Sequence, residues 1–405
     1  MKLETIRVKN FKSLQNVALT HLPDYCVFVG KNGVGKTTLF RIFAFLKKCL
    51  ETDVRRALNT EGGRNGFREV LTRGCDPNKD CIEIEIQFRM DISGKSRLVT
   101  YHIEIGLAET GQPVVKYEFL RYKRGAHGSP YYFLRFREGQ GFAISNEEDF
   151  TKPDEELERE HQTLATSDTL AIKGLGQFER FKAAKAFKDL IEQWHISDFH
   201  IGRARGDKED DGAIHLSASG ENLPSVARHL YEQHPDRFDL IKSKMRERVP
   251  GVDNIEVQTT DDGRLIMRYK DGAFSEPFID KNVSDGTVKM FAYLVLLHDP
   301  LPHPILCVEE PENQLYPELM TVLAEEFADY TSHGGQVFVS THSPQFLNAI
   351  TLENLFIIEK ADGVSRVMKA SEDPLLTEQA NAGWKLGLLW DQGTMVGTGA
   401  RIAHQ

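Results

Sequence analysis

Two stretches of this 405-residue chain carry residue types whose spacing could do chemistry. Near the start, Gly30-Lys-Asn-Gly-Val-Gly-Lys-Thr-Thr38 fits the pattern G-x-x-x-x-G-K-[ST], a loop that wraps phosphate. In such a loop the backbone N–H groups of Gly30, Asn32, Gly33, Val34, Gly35 and Lys36 surround a β-phosphate at a helix N-terminus. Lys36 sets a point charge against the β- and γ-phosphates, and the Thr37 hydroxyl is placed to ligate Mg²⁺. Thr38 completes the expected nucleotide-binding set. A glycine-rich turn with no ligand is the plainer explanation of the same residues.

Far along the chain, Ile305-Leu-Cys-Val-Glu-Glu-Pro-Glu312 is an apolar run that ends on paired carboxylates. Adjacent carboxylates at the end of a buried strand are costly unless a cation compensates them. Glu309 is expected to hold the metal shell through a water and Glu310 to orient or deprotonate an attacking water, with Glu309 or Glu312 next in line for that role. The alternative is a strand emerging into solvent. With the phosphate loop in the same chain, the expected chemistry is hydrolysis of a nucleoside triphosphate, with ATP and Mg²⁺ as the cofactors.

Two further segments fit that chemistry. Val337-Phe-Val-Ser-Thr-His342 is a second apolar run ending in a hydroxyl pair and a histidine. His342 there could hydrogen-bond a γ-phosphate and sense its loss, although a single histidine is more often structural. Val283-Ser-Asp-Gly-Thr-Val288 precedes the helical run Lys289–Leu297, and Ser284, Asp285 and Gly286 at a helix N-terminus make a second anion-binding segment.

These residues need elements to position them. Leu3–Lys9 alternates like a strand, with a turn predicted at Asn10-Phe-Lys-Ser13 and a strand over Gln15–Leu19. Tyr25–Val29 is wholly apolar, as in a buried parallel strand, and Thr38–Lys47 has helical spacing, so the glycine loop lies between strand and helix. Residues 78–145 read as strand and turn, Cys81–Phe88 most strictly, which predicts an antiparallel subdomain with one solvated face. Helical spacing is expected from 150 to about 200, clearest over Phe178–Leu190, then an exposed loop at 205–213. A second helical block follows at 221–248, and strands return at 253–280. The domains expected are 1–150 (phosphate loop and antiparallel part), 151–280 (helical and strand insertion), 281–360 (the second ATPase part) and a tail, 361–405. No sustained heptads, internal repeats or low-complexity tracts are present.

Composition sets bounds on this reading. A 40% hydrophobic and 27% charged chain is ordinary for a water-soluble globular protein. No apolar run approaches the ~18 residues of a membrane span, and Met1–Arg7 lacks a secretory stretch, so the expected location is cytoplasmic, with no membrane partner. A net charge of −10 gives no global pull toward nucleic acid. Five cysteines without a C-x-x-C pair suit reduced thiols. Cys75 and Cys81 flank a polar loop, but further ligands at metal spacing are missing.

In combination, the phosphate loop, Ser-Asp-Gly-Thr before a helix, Glu-Glu-Pro-Glu after a strand and then Ser-Thr-His resemble the ABC-class ATPases of the SMC/RecF/OLD type. Ile6–Leu14 is similar to that family's first strand and turn, and Leu216-Ser-Ala-Ser-Gly-Glu-Asn-Leu223 to its stand-alone members. The likeness runs over most of residues 1–360. It implies an α/β, ABC-class P-loop fold with a mixed β/helical insertion between the phosphate loop and the Ser-Asp-Gly-Thr segment. It implies that Phe11, Lys12 and Ser13 lie near the base and ribose. It also implies a homodimer, in which Ser284–Gly286 of one copy caps the γ-phosphate held by the phosphate loop of the other. The chain departs from the family where Asp is the usual metal ligand and Glu309 stands. A glutamine loop is not evident either: Gln87 falls in a strand pattern, and Leu71-Thr-Arg-Gly74 is the other candidate.

The residues after His342 are too few for the nuclease domain that OLD-type enzymes add, so no intrinsic nuclease is expected. Trp384-Lys-Leu-Gly-Leu-Leu-Trp390 is read either as packing on the ATPase core or as a docking strip for a separate effector, a nuclease or toxin. By analogy with ATPases encoded in defence operons, the expected role is a nucleotide-driven switch in anti-phage defence or DNA repair. The alternative is a nucleotide-gated scaffold that restrains a toxic effector. DNA contact is possible at Arg121-Tyr-Lys-Arg124 with Tyr131, Tyr132, Arg135 and Arg137, or at Arg55, Arg56, Arg64, Arg68 and Arg73. Solvated strand and helix faces are the favoured explanation of both groups, because charge runs are usually just that.

Overall fold

The computed structural model describes residues 2–92, 95–123, 130–145, 156–206 and 208–395. Arg124, Asp207 and the glycine-rich end of the tail lie outside the described residues. The chain forms two compact units, one of residues 1–194 with 356–369 and the other of 195–355 with 370–405.

The first unit is built on an eight-stranded antiparallel sheet. Its strands run, in spatial order, Leu14–Thr20, Lys2–Phe11, Ile82–Ile92, Lys95–Leu107, Pro113–Tyr122, Tyr131–Arg137, Gln140–Ile144 and Arg159–Thr163. Strict alternation over residues 82–88 puts Ile82, Ile84, Ile86 and Phe88 on the covered face. Glu83, Glu85 and Gln87 point the other way, toward partners such as Lys9 and Arg7. The helix Lys36–Glu51 buries Leu39, Phe40, Phe43, Leu46 and Leu50 at helical spacing. Phe43 and Phe88 meet around Trp194, whose ring stacks on Phe88 at 5.9 Å, and Phe187 packs on Tyr101 at 4.8 Å. These aromatics fix the direction in which the helix leaves the phosphate loop. The strand Tyr25–Val29, buried throughout, has Leu355–Ala361 as its neighbour, and Val364–Lys369 follows beyond.

Two expectations need correction here. The first strand continues through Asn10 and Phe11, and the turn is confined to Lys12 and Ser13. Asn10 can stay in the strand at φ 60° because its side-chain amide donates to Cys81 O. Helical spacing does not hold over all of 150–200. Arg159–Thr163 is an edge strand paired with Gln140–Ile144, and the helix expected from Phe178 begins at Lys182. The preceding turn is held apart by Arg180, which lies over the rings of both Phe178 and Phe181.

In the second unit, His195–Ser197, Ile305–Glu309 and Gln336–Ser340 form a parallel set, with Cys307 opposite Phe338 and Glu309 opposite Ser340. Continuous apolar runs suit parallel strands covered on both faces. The helix Asp285–Leu297 is buried along nearly its whole length, and Pro317–Ser332 packs beside it. Arg264–Lys270 pairs with Asn254–Thr259, Lys208–Glu209 and Phe278–Ile279 in a small antiparallel sheet, flanked by the helices Leu223–Gln233 and Pro235–Arg248. No helix among the described residues is long and apolar enough to cross a membrane.

Candidate active site

In the first unit the phosphate loop joins the buried strand Tyr25–Val29 to the helix that starts at Lys36. Gly33 (φ 78°) and Gly35 (φ 113°) take left-handed backbone conformations that bend the loop around its own centre. A Cβ at Gly35 would stand 2.3 Å from Ser365 Oγ and 2.9 Å from Ser13 Oγ. The loop is thus closed from below by a hairpin far along the chain. Ser365 Oγ bonds Val34 O at 2.6 Å and Ser13 Oγ at 2.7 Å, and Ser365 N donates to Ser13 O. Sequence reasoning missed Ser365, because a serine in an ordinary hairpin carries no local signal of a contact made more than three hundred residues away.

Lys36 is buried, and its ammonium donates to Gly30 O at 2.8 Å and Lys31 O at 3.2 Å, inside the curve of the loop. Asn32, Gly33 and Thr37 are exposed on the rim, and Thr38 is half-buried. The loop residues therefore fit a phosphate chain, with backbone donors, one ammonium and one open hydroxyl around a concave turn. Ser13 lies against this loop. Lys12 is held on the Glu61 carboxylate, which Arg41 also approaches, and its backbone N–H donates to Val70 O. Thr72, on the stretch considered for a glutamine loop, is buried and donates its N–H to Asn10 O. Gln87 pairs with Thr5 and Thr100 within its strand.

In the second unit Glu309 ends its strand beside Ser340. Glu310 follows at φ 43°, a left-handed conformation that costs a non-glycine residue about 1–3 kcal/mol. It is held there by its own N–H, which donates to Ser340 O at 2.9 Å. Its Oε1 lies 3.5 Å from Nε2 of His342, so the carboxylate and the imidazole face each other across neighbouring strand ends. Glu312 has a different surrounding. Its carboxylate accepts from the Thr341 hydroxyl at 3.0 Å and from the backbone N–H of His342. Both of its oxygens are occupied in shaping the strand end that presents His342.

Ser284 caps the helix Asp285–Leu297 by accepting from Thr287 N. Ser284 and Asp285 are exposed, while Gly286 is covered, with Gln314 O 3.1 Å and Tyr316 3.4 Å from where a Cβ would stand. Arg205 clamps this segment through Asp280 O, Val283 O and the Asp285 carboxylate. One turn along, buried Lys289 donates to Asn313 O at 2.6 Å. Burial pulls the Lys289 ammonium down to about 8, against the opposing pull of the Glu312 and Asp198 carboxylates. The segment Ser284–Lys289 and the loop after Glu310 are therefore fastened together. Arg205 and Lys289 were not evident in the sequence, where the first sits in a polar loop stretch and the second reads as one charge on an apolar helix.

The tail meets the same region. In the helix Leu386–Asp391, Leu386 and Leu389 are buried, and the ring of Trp390 lies 6.3 Å from that of His342. Trp384 and Leu388 remain exposed. On the first unit's sheet, Arg121, Arg135 and Arg137 lie over Tyr132, Tyr117 and Phe119 rather than in ion pairs with carboxylates among the described residues. Of the other basic stretch, Arg55 and Arg56 pair with Asp168 and Asp53.

Residues 26–348 match a family model described as "AAA domain, putative AbiEii toxin, Type IV TA system". No curated protein matches the chain. Among solved structures it is similar to an SMC head bound to the C-winged helix domain of ScpA, at 14% identity and TM-score 0.55, over 91% of this chain and 98% of that one. An SMC head domain from Thermotoga maritima matches at 15% identity and TM-score 0.46, over 91% and 99%. An SMC head with an extended coiled coil, bound to the C-terminal domain of ScpA derived from Pyrococcus furiosus, matches at 13% and 0.47, over 94% and 99%. At 14% identity the likeness to the first of these is one of fold alone. The expected α/β, ABC-class P-loop ATPase fold is borne out.

Proposed function

This chain belongs to the AAA-domain family that its residues 26–348 match, as an SMC-like ABC-class ATPase domain, and from that premise we propose that it is an ATP-hydrolysing dimeric switch. ATP is held by Gly30–Thr38, with Lys36 on the β- and γ-phosphates. Mg²⁺, when bound, neutralises the phosphate charge, and Thr37 and Glu309 are the residues that would hold it. Glu310 takes the proton of the attacking water, and His342 hydrogen-bonds the γ-phosphate. Ser284, Asp285 and Gly286 of a second copy complete each site, so nucleotide is part of the interface and hydrolysis opens it.

The observation that carries this reading is the pairing of Glu310 and His342. A strained glutamate whose carboxylate faces an imidazole at 3.5 Å, at the ends of adjacent buried strands, is poised for proton transfer rather than for packing. The test is turnover and assembly of Glu310→Gln. Loss of hydrolysis with retained ATP binding and accumulation of ATP-bound dimers supports the assignment, and normal hydrolysis refutes it.

A second reading, the nucleotide-gated scaffold, is favoured by one contact. Trp390 lies against His342 while Trp384 and Leu388 stay exposed on the same tail segment, so a partner docked there would bear on the γ-phosphate sensor. That partner would be a separate effector carrying the nuclease or toxin activity, in anti-phage defence or repair. ATPase rates with and without DNA, and with a co-purified partner, separate the two readings.

A further inference from the structure

Among the described residues, one cluster outside the candidate active site brings metal-ligating side chains together. His215, Asp299 and His303 each offer a donor atom within 4.8 Å of the others. They come from separate stretches: His215 from the loop before Leu216, and Asp299 and His303 from the connection between the helix Asp285–Leu297 and the strand Ile305–Glu309. Asp299 is buried, and its Oδ2 lies 2.7 Å from His215 Nδ1. The rings of His215 and His303 are 5.4 Å apart, and the His195 ring lies tilted against His303 at 4.9 Å, adding a third imidazole to the wall.

Each of these residues is braced by a neighbour. Asp299 Oδ1 accepts from Leu301 N at 2.8 Å, which turns the other oxygen toward His215. The carbonyl of His215 accepts from Asn222 Nδ2 at 2.9 Å, and the carbonyl of His303 from the Tyr330 hydroxyl at 2.6 Å. A plain His215–Asp299 hydrogen bond accounts for two of the three residues. It does not account for His303 brought to the same point by an independent anchor.

We propose that His215, Asp299 and His303 bind a divalent transition metal of the Zn²⁺ class, which pins the connection between the Ser284-capped helix and the strand that ends on Glu309. Two imidazoles and one carboxylate suit Zn²⁺ and its first-row neighbours better than Mg²⁺ or Ca²⁺, which prefer oxygen alone. Ligands about 2.0–2.2 Å from a tetrahedral Zn²⁺ stand roughly 3.4 Å apart, so the His215–Asp299 contact of 2.7 Å opens and the wider separations, within 4.8 Å, narrow around the ion. Three protein donors leave a fourth position for water. The site is separate from the Mg²⁺ position expected at Thr37 and Glu309, and it needs no nucleotide.

The test uses the full chain, stripped with a chelator and kept free of nucleotide, and titrated with Co²⁺ and then Zn²⁺. One equivalent of Co²⁺ giving visible d–d bands of a four- or five-coordinate site, displaced by Zn²⁺, is expected. Zn²⁺ should raise the melting temperature, since it binds the folded chain and not the unfolded one. His303→Ala removes a ligand outright and should lower affinity by more than the roughly 10–100-fold that loss of an outer-shell partner costs. His215 is partly exposed, so His215→Ala should still fold and should weaken binding similarly, although the stripped variant melts lower because the buried Asp299 Oδ2 loses its partner. Absence of stoichiometric metal on the wild-type chain overturns the proposal, as does unchanged binding in the folded His215→Ala variant.

Discussion

Oε1 of Glu310 lies 3.5 Å from Nε2 of His342, whereas the carboxylate of Glu312, two residues on, is taken up by Thr341 Oγ1 and the backbone N–H of His342. The two glutamates therefore have different jobs, and their substitutions should be separable.

Glu310→Gln keeps the shape but cannot accept a proton. Steady-state ATP turnover should fall about 10²–10⁴-fold, with ATP affinity retained and ATP-bound dimers appearing on a sizing column. Glu312→Gln should chiefly lower stability, by about 1.5–3 kcal/mol, since it weakens two hydrogen bonds to a charged acceptor. Thermal melts of the two variants, read beside turnover, distinguish them. An unchanged melt with lost turnover in Glu312→Gln would transfer the base role to that residue.

Lys36→Ala removes the ammonium from inside the phosphate loop. ATP affinity should drop about 10- to 100-fold, the worth of one or two charge-assisted hydrogen bonds. The fold should persist, because Ser365, Ser13 and the glycines set the loop's path. Isothermal titration with ATP, alongside circular dichroism, is the check. Wild-type affinity in this variant would remove the loop from the nucleotide site.

The composite arrangement is best tested at Ser284. Gly286 is covered by Gln314 and Tyr316 of its own unit, so a bulky group there disturbs that unit before it meets a second copy. Ser284→Arg puts the bulk on an exposed position and costs about 1 kcal/mol for the lost cap. ATP binding should survive while hydrolysis and ATP-dependent dimerisation fail together. Mixing Ser284→Arg with Lys36→Ala should gather both lesions into one site of a mixed dimer and restore part of the activity. A mixture as inactive as either variant, with mixed dimers present, would argue against the trans arrangement.

A pH dependence follows from Glu118. Its carboxyl is wholly buried and accepts from Tyr101 OH, Ala171 N and Ile172 N, yet burial outweighs these donors and lifts it from its ordinary 4.5 to about 7. The folded protein then holds this proton more tightly than the unfolded chain. The stabilising contribution is full below pH 4.5 and is lost as pH rises to 7, on the order of 3 kcal/mol. Glu118→Gln should flatten the fall in unfolding free energy between pH 5 and 8. An equal slope in both proteins would assign the dependence to other groups.

Much of the candidate site was legible in the sequence because its signals are local. A phosphate loop needs glycines and a lysine at fixed spacing between a strand and a helix, since backbone N–H groups must converge on one anion. Glu310 and His342 were readable because each ends a continuous apolar run, and parallel strands buried on both faces write such runs. The alternation over Cys81–Phe88 likewise announced a sheet with one covered face. Tertiary structure alone decided what these residues rest on. Ser365 under the phosphate loop, Arg205 on Asp285 and Lys289 on Asn313 are ordinary residues in their own stretches, and their roles come from backbone carbonyls and side chains brought in by remote segments. The same holds for the different fates of Glu310 and Glu312, and for His303 meeting His215 and Asp299. Periodicity encodes which face of an element is covered, but which neighbour covers it depends on how distant segments pack.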